Sequence, residues 1–164
     1  MTYFATSIFR SNFPGPFDVQ RSSDGVDNTY EVYCLATSRV VTACHYWDAE
    51  KDARRFAFAI AAALNFSLHE DLVTLEGSRC LADFLTQYSG AYRIRRGNCD
   101  YHGGFWDIHC SASDQSLAQC YGGRLEYTPL IIACVIREAL LEAGMYLPRD
   151  RQIGSAEQSE LIPF

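Results

Sequence analysis

Apolar positions along the chain follow two rhythms, one near 3.6 residues and one near 2. The helical rhythm is clearest over 128–144, TPLIIACVIREALLEAG. Thr128 can cap its start, Pro129 suits the first helical position, and Gly144 supplies the residue that commonly ends a helix. Between them Leu130, Ile131, Ala133, Cys134, Ile136, Leu140 and Leu141 form a wide apolar surface, leaving Arg137, Glu138 and Glu142 for a wetter side. A second helix is predicted from an Asp48 cap to about Leu64, where Ala53, Phe56, Ala57, Ile60 and Leu64 fall at spacings of three and four. A shorter third helix is predicted over 79–89, with Ser78 as cap and Gly90 as stop.

Shorter β-rich runs precede these helices. Residues 1–10 read as a strand on the strength of Tyr3, Phe4, Ile8 and Phe9, and residues 11–29, rich in Pro, Gly, Ser and Asp, as a long loop. Segments 30–36 and 40–47 predict a hairpin. Alternation in its second arm puts Val41, Ala43 and His45 on one face, and Val40, Thr42, Cys44 and Tyr46 on the other. Segments 91–96 and 105–112 read as two strands joined by GNCDYHGG, with a third short strand over 117–122. Residues 66–77 fit a turn or a short strand. Strand, strand, helix thus occurs twice, with too little residue similarity to indicate duplication. The fold class this predicts is α+β: an antiparallel sheet from two hairpin units, each followed by an amphipathic helix packed on the sheet. One domain spans 1–147, and 148–164 forms a polar tail whose docking residues would be Leu161, Ile162 and Phe164.

With 164 residues the chain is long enough to close a core without staples, and its formal charge is −6. That sign argues against a general nucleic-acid or anionic-membrane binder, and the magnitude is too mild for a DNA mimic. No run approaches the roughly 18 apolar residues of a membrane span, and the N-terminus lacks a signal-peptide pattern. Seven scattered cysteines fit buried thiols in a reducing, cytoplasmic setting.

Three constellations could carry chemistry. Cys99, His102, His109, Cys110 and Cys120 are the densest set of soft ligands. Only Cys99 and His102 have the local spacing zinc favours, and His109 and Cys110, adjacent on a strand, point apart. No metal or cofactor is therefore expected; any metal would fall to Cys99 and His102. A cysteine–histidine hydrolase would need a dyad from separate segments, such as Cys99 with His45 or His109, and no nucleophile motif surrounds any cysteine. The glycines of Tyr101–Gly104 and Tyr121–Gly123 fit neither phosphate-loop nor dinucleotide patterns. The third constellation is a basic patch on an acidic chain. Arg93 and Arg95 share a strand face and Arg96 ends it, near Tyr101, Phe105 and Trp106. Arginine beside aromatics could hold a phosphate, a nucleotide or an acidic protein surface, or could simply deter edge pairing.

The C-terminal third resembles a group of small phage and prophage proteins, the phage helix-sheet-helix sandwich proteins. The likeness rests on Trp106 in a strand pair followed by Thr128, Pro129, Leu130, Ala133, Cys134, Arg137 and Ala139. It implies an accessory protein acting in the host cytoplasm and brings no catalytic residues. The resulting expectation is a non-catalytic protein that occupies a host protein, plausibly a defence component. Arg93, Arg95, Arg96, Tyr101, Phe105 and Trp106 are its candidate contacts; the 11–29 loop and the tail are further candidate regions. Nucleotide sequestration is the alternative, and helix 128–144 could also serve a homodimer.

Overall fold

The computed structural model describes residues 2–22, 29–45, 50–68, 74–88, 91–99, 103–121 and 129–145. In chain order the elements are α1 (Thr2–Asn12), β1 (Phe17–Arg21), β2 (Thr29–Cys34), β3 (Val40–His45), α2 (Glu50–Leu68), α3 (Leu75–Gln87), β4 (Tyr92–Cys99), β5 (Gly103–Cys110) and β6 (Gln115–Tyr121). A fourth helix, α4, covers 129–145. The strands form one antiparallel sheet in the order β1-β2-β3-β6-β5-β4. The chain is α+β, with its helices packed on the sheet.

The helices gather on one sheet face. α2 lies over β1, β2 and β3 and reaches β6, while α3 packs alongside α2. Ser67 of α2 donates to Glu142 of α4 at 3.1 Å, and Thr6 of α1 shares a groove with Leu64, Val135 and Ala139. With neighbours on several sides, α2 is buried almost all round, which its Ala59, Ala61, Ala62 and Ala63 make sterically feasible. Beneath this layer Phe17, Val32, Cys34, Cys44, Ile108, Ala118 and Cys120 form the floor of the core. No described helix covers the opposite face.

The two halves of the chain repeat one another: helix, three strands, helix. Equivalent residues lie 75 apart through β1 and 76 apart from β2 onward. Phe9, Phe13 and Phe17 correspond to Phe84, Tyr88 and Tyr92, with the Phe9–Phe13 and Phe84–Tyr88 ring centroids both 5.2 Å apart. The run Tyr30-Glu31-Val32-Tyr33-Cys34 matches Trp106-Asp107-Ile108-His109-Cys110. Each run ends in the same turn. Ser38 N–H donates to the Cys34 carbonyl at 2.7 Å, Asp114 N–H to that of Cys110 at 2.8 Å, and Ser38 and Asp114 have φ of 58° and 54°. The register slips at the same place in both, between Val32 and Tyr33 and between Ile108 and His109. In α2 and α4, Ala57, Ile60, Ala63 and Leu64 recur as Ala133, Ile136, Ala139 and Leu140, all buried. At the centre of the sheet Ala43 pairs with its own counterpart, Gln119, as an approximate two-fold axis between β3 and β6 requires. The duplication that residue similarity alone did not indicate is therefore present in the fold.

Three boundaries differ from expectation. Residues 2–12 form a helix, not a strand, because Phe9 on its inward face packs against both Phe13, one turn on, and Phe17. Tertiary burial of that face outweighs the β propensity of Tyr3, Phe4 and Ile8. The stretch expected as one long loop over 11–29 contains β1, whose Phe17 N–H and C=O are clamped by the Asn65 side chain at 2.9 Å each. α3 starts at Leu75, capped by the Thr74 hydroxyl accepting from Gly77 N–H, rather than at a Ser78 cap. Gly77 lets α3 approach α2 closely, since a Cβ there would stand 3.2 Å from Ala62 Cβ. The expected Asp48 cap, Thr128 cap and Gly90 stop, and the tail 148–164, lie outside the described residues.

Candidate functional site

Strand alternation and register divide the expected contact residues between two faces. Arg93, Arg95 and Phe105 lie on the helix-free face, opposite His109, Asp107 and Gly97 respectively. Arg96 and Trp106 pair across β4 and β5 on the helix-side face, so they do not join the others. Tyr101 and His102 lie outside the described residues, as does the side chain of Cys99. Of the five described residues of the patch read from sequence, three share the open face.

Around that patch the structure assembles polar groups that sequence reasoning did not assign to it. Arg95 Nε donates to Asp107 Oδ2 at 3.1 Å, and its Nη1 lies 3.5 Å from Asp114 Oδ1. Ser116 donates its hydroxyl to the other oxygen of Asp107. His109 Nε2 stands 3.8 Å from Asp114 Oδ1, too far for a hydrogen bond. Asp107 is buried while Arg95 is half exposed, so the pair orients the guanidinium rather than adding much stability. Arg93 is exposed and has no ion-pair partner among the described residues. Phe105 lies across Gly97, where any Cβ would collide with its ring. The signal available in sequence was the i, i+2 placement of Asp107 and His109 with Phe105, but it needed the register to become a cluster.

These groups do not form a nucleophilic triad. The Ser116 hydroxyl is directed to Asp107 rather than to His109, so the imidazole is not placed to take its proton. Nor do the four fully buried cysteines supply one. Cys34, Cys44, Cys110 and Cys120 have at most 1% of their surface exposed. Burial opposes ionisation of Cys34, yet the Thr37 hydroxyl and the amides of Gly15, Thr37 and Ala36 outweigh it, so its pKa falls. Cys110 is treated alike: burial opposes, and the Ser113 hydroxyl with the amides of Ser113 and Ala112 prevails. The pair therefore serve as duplicated turn acceptors. Cys44 is pushed up by burial and by Cys120, and Cys120 up to about 12 by burial. Among the described residues no three His, Cys, Asp or Glu side chains are grouped to hold a metal ion. No described helix is long and apolar enough to cross a membrane.

The chain matches no family model, no curated protein and no solved structure. Its own two halves supply the informative comparison. Facing the helices, counterparts are identical or near: Cys34 and Cys110, Cys44 and Cys120, Val32 and Ile108, Val19 and Ile94. On the open face one pair keeps its character, Gln20–Glu31 at 3.2 Å against Arg95–Asp107. The other open-face positions differ in kind: Asp18 against Arg93, Thr29 against Phe105, Tyr33 against His109, Val40 against Ser116, Ala43 against Gln119. The helix-facing side is duplicated; most of the helix-free face is not.

Proposed function

We propose that this chain is a non-catalytic binding protein of the phage accessory kind, which inhibits a host protein by occupying it through the open face of β4 and β5. The observation that supports this reading is the divergence of the two halves. Packing against the helices keeps their inner residues alike, whereas the open face of the second half carries Arg93, Arg95 and Phe105 where the first has Asp18, Gln20 and Thr29. Arginine and aromatic side chains are favoured anchors of protein interfaces, and a sheet surface offers a broad, flat contact. The accessory role itself follows from the C-terminal resemblance.

The test is affinity capture from a host lysate with the tagged chain and with an Arg93→Glu, Phe105→Ala variant of equal thermal stability. The reading expects one host protein retained near equal stoichiometry by the parent and lost by the variant. Equal capture by both would remove the contact from this face. Nucleotide sequestration remains the second reading, supported by the exposed Arg93 guanidinium on the same face as Phe105. It expects thermal stabilisation by nucleotides that disappears in Arg93→Glu.

A further inference from the structure

β4 and β1 occupy equivalent positions at the two ends of the sheet, yet they are different edges. β1 has five residues and carries Asp18, Gln20 and Arg21. β4 has eight, with Arg93, Arg95 and Arg96 at the matching positions. Among the described residues β4 pairs only with β5, so the main-chain groups on its other side have no strand beside them. In such an edge alternate residues, about four of the eight, present both N–H and C=O outward. Arg95 is held in place by Asp107 and Asp114, and Arg93 has no ion-pair partner among the described residues.

We propose that β4 is an acceptor edge to which an extended, acidic segment of a protein partner adds as a seventh strand. The inference rests on the binding reading above and names the chemistry of its partner. Main-chain pairing would supply affinity and the flanking side chains selectivity. The pattern required of the guest follows from β4 itself. On the open face it would meet Arg93 and Arg95, calling for Asp or Glu at alternate positions. On the other face it would lie beside Tyr92 and Ile94, calling for Val, Ile or Thr between the acids. A second copy of β4 is a poor guest, because antiparallel self-pairing would bring three arginines against three. Nucleic acid is disfavoured by the chain's charge of −6 and offers no strand ladder.

The probe is a fluorescent peptide, Thr-Glu-Val-Glu-Val-Glu-Thr with blocked ends, titrated into the full chain. Binding is followed by anisotropy and by hydrogen exchange at residues 92–99. The expected result is saturable binding with slowed exchange in β4 and not in β1, and at least ten-fold weaker binding to Arg93→Glu. A Lys-for-Glu peptide should not bind. A peptide N-methylated on alternate backbone amides, in both phases, should bind at least ten-fold more weakly in the phase that blocks the ladder. Equal binding of both N-methylated forms, no binding of the Glu peptide at millimolar concentration, or preference for a single-stranded RNA oligomer would each overturn the proposal. Host-protein capture that survives alongside a failed peptide titration would leave the binding reading standing and remove only the strand-addition mode.

Discussion

Replacing Asn65 by Leu should cost this protein more than any other single exchange of similar volume in α2. Asn65 is buried, and its amide makes two hydrogen bonds to one residue: Phe17 N–H donates to Oδ1 and Nδ2 donates to the Phe17 carbonyl, each at 2.9 Å. Leucine would abolish both and leave two backbone groups of buried Phe17 without those partners. Two lost bonds at about 1 kcal/mol each, together with partial desolvation costs for the stranded groups, give about 2–4 kcal/mol. For a chain of this size that corresponds to a fall in Tm of roughly 5–15 °C. Urea unfolding followed by far-UV circular dichroism should show the midpoint falling with an unchanged slope. Asn65→Asp separates the two bonds, since it keeps the acceptor and loses the donor. A Tm change below 2 °C for Asn65→Leu would refute the view that this clamp fixes β1 beneath α2.

Three further outcomes are expected. Gly97→Val should destabilise by about 1–3 kcal/mol because its side chain meets the Phe105 ring, and Phe105→Ala should recover part of that loss, giving a non-additive double-mutant cycle. Alkaline pH should weaken the fold. Burial and the Cys110 thiol push Tyr92 up to about 12 from an ordinary 10, and burial pushes Cys120 up to about 12 from 9. Above pH 9 the unfolded chain therefore releases these protons first. Stability present at neutral pH is lost between pH 9 and 12, by about 1.4 kcal/mol per unit for each group in its window, in a series of chemical denaturations. Alkylation of the native protein followed by peptide mapping should label half-buried Cys80 and Cys134 well before Cys34, Cys44, Cys110 and Cys120. Labelling of Cys34 or Cys110 at the rate of Cys80 would contradict their role as occluded turn acceptors.

The long helices and the β2–β3 and β4–β5 hairpins were legible because their apolar residues recur at regular spacing: Ala53, Phe56, Ala57, Ile60 and Leu64 of α2 fall three or four apart and are all buried. α1 was not, because its inward face is set by Phe9 meeting Phe13 and Phe17, contacts that local propensity does not encode. β1 was hidden for a similar reason. Only Phe17 and Val19 of its five residues escape full exposure, too few to stand out from a Pro- and Gly-rich surround. The duplication is not legible because its offset changes from 75 to 76 between β1 and β2, and because most open-face residues differ in kind. At the site, Arg93 and Arg95 were visible by their strand spacing. Arg96 and Trp106 were grouped with them by nearness in sequence, and the pleat sends them to the other side. Asp114 comes from the β5–β6 turn and Ser116 from beyond it, so only the sheet register brings them to Arg95 and Asp107.

The most direct measurement is hydrogen exchange on the complex with the captured host protein, read separately over 92–99 and 103–110 and over their counterparts 17–21 and 29–34. The two halves share one scaffold, so each is the other's control. Slowed exchange confined to β4 and β5 is the predicted result. Slowed exchange in β1 and β2, in the helix layer, or equally in both halves would contradict the assignment of binding to the open face of the second half.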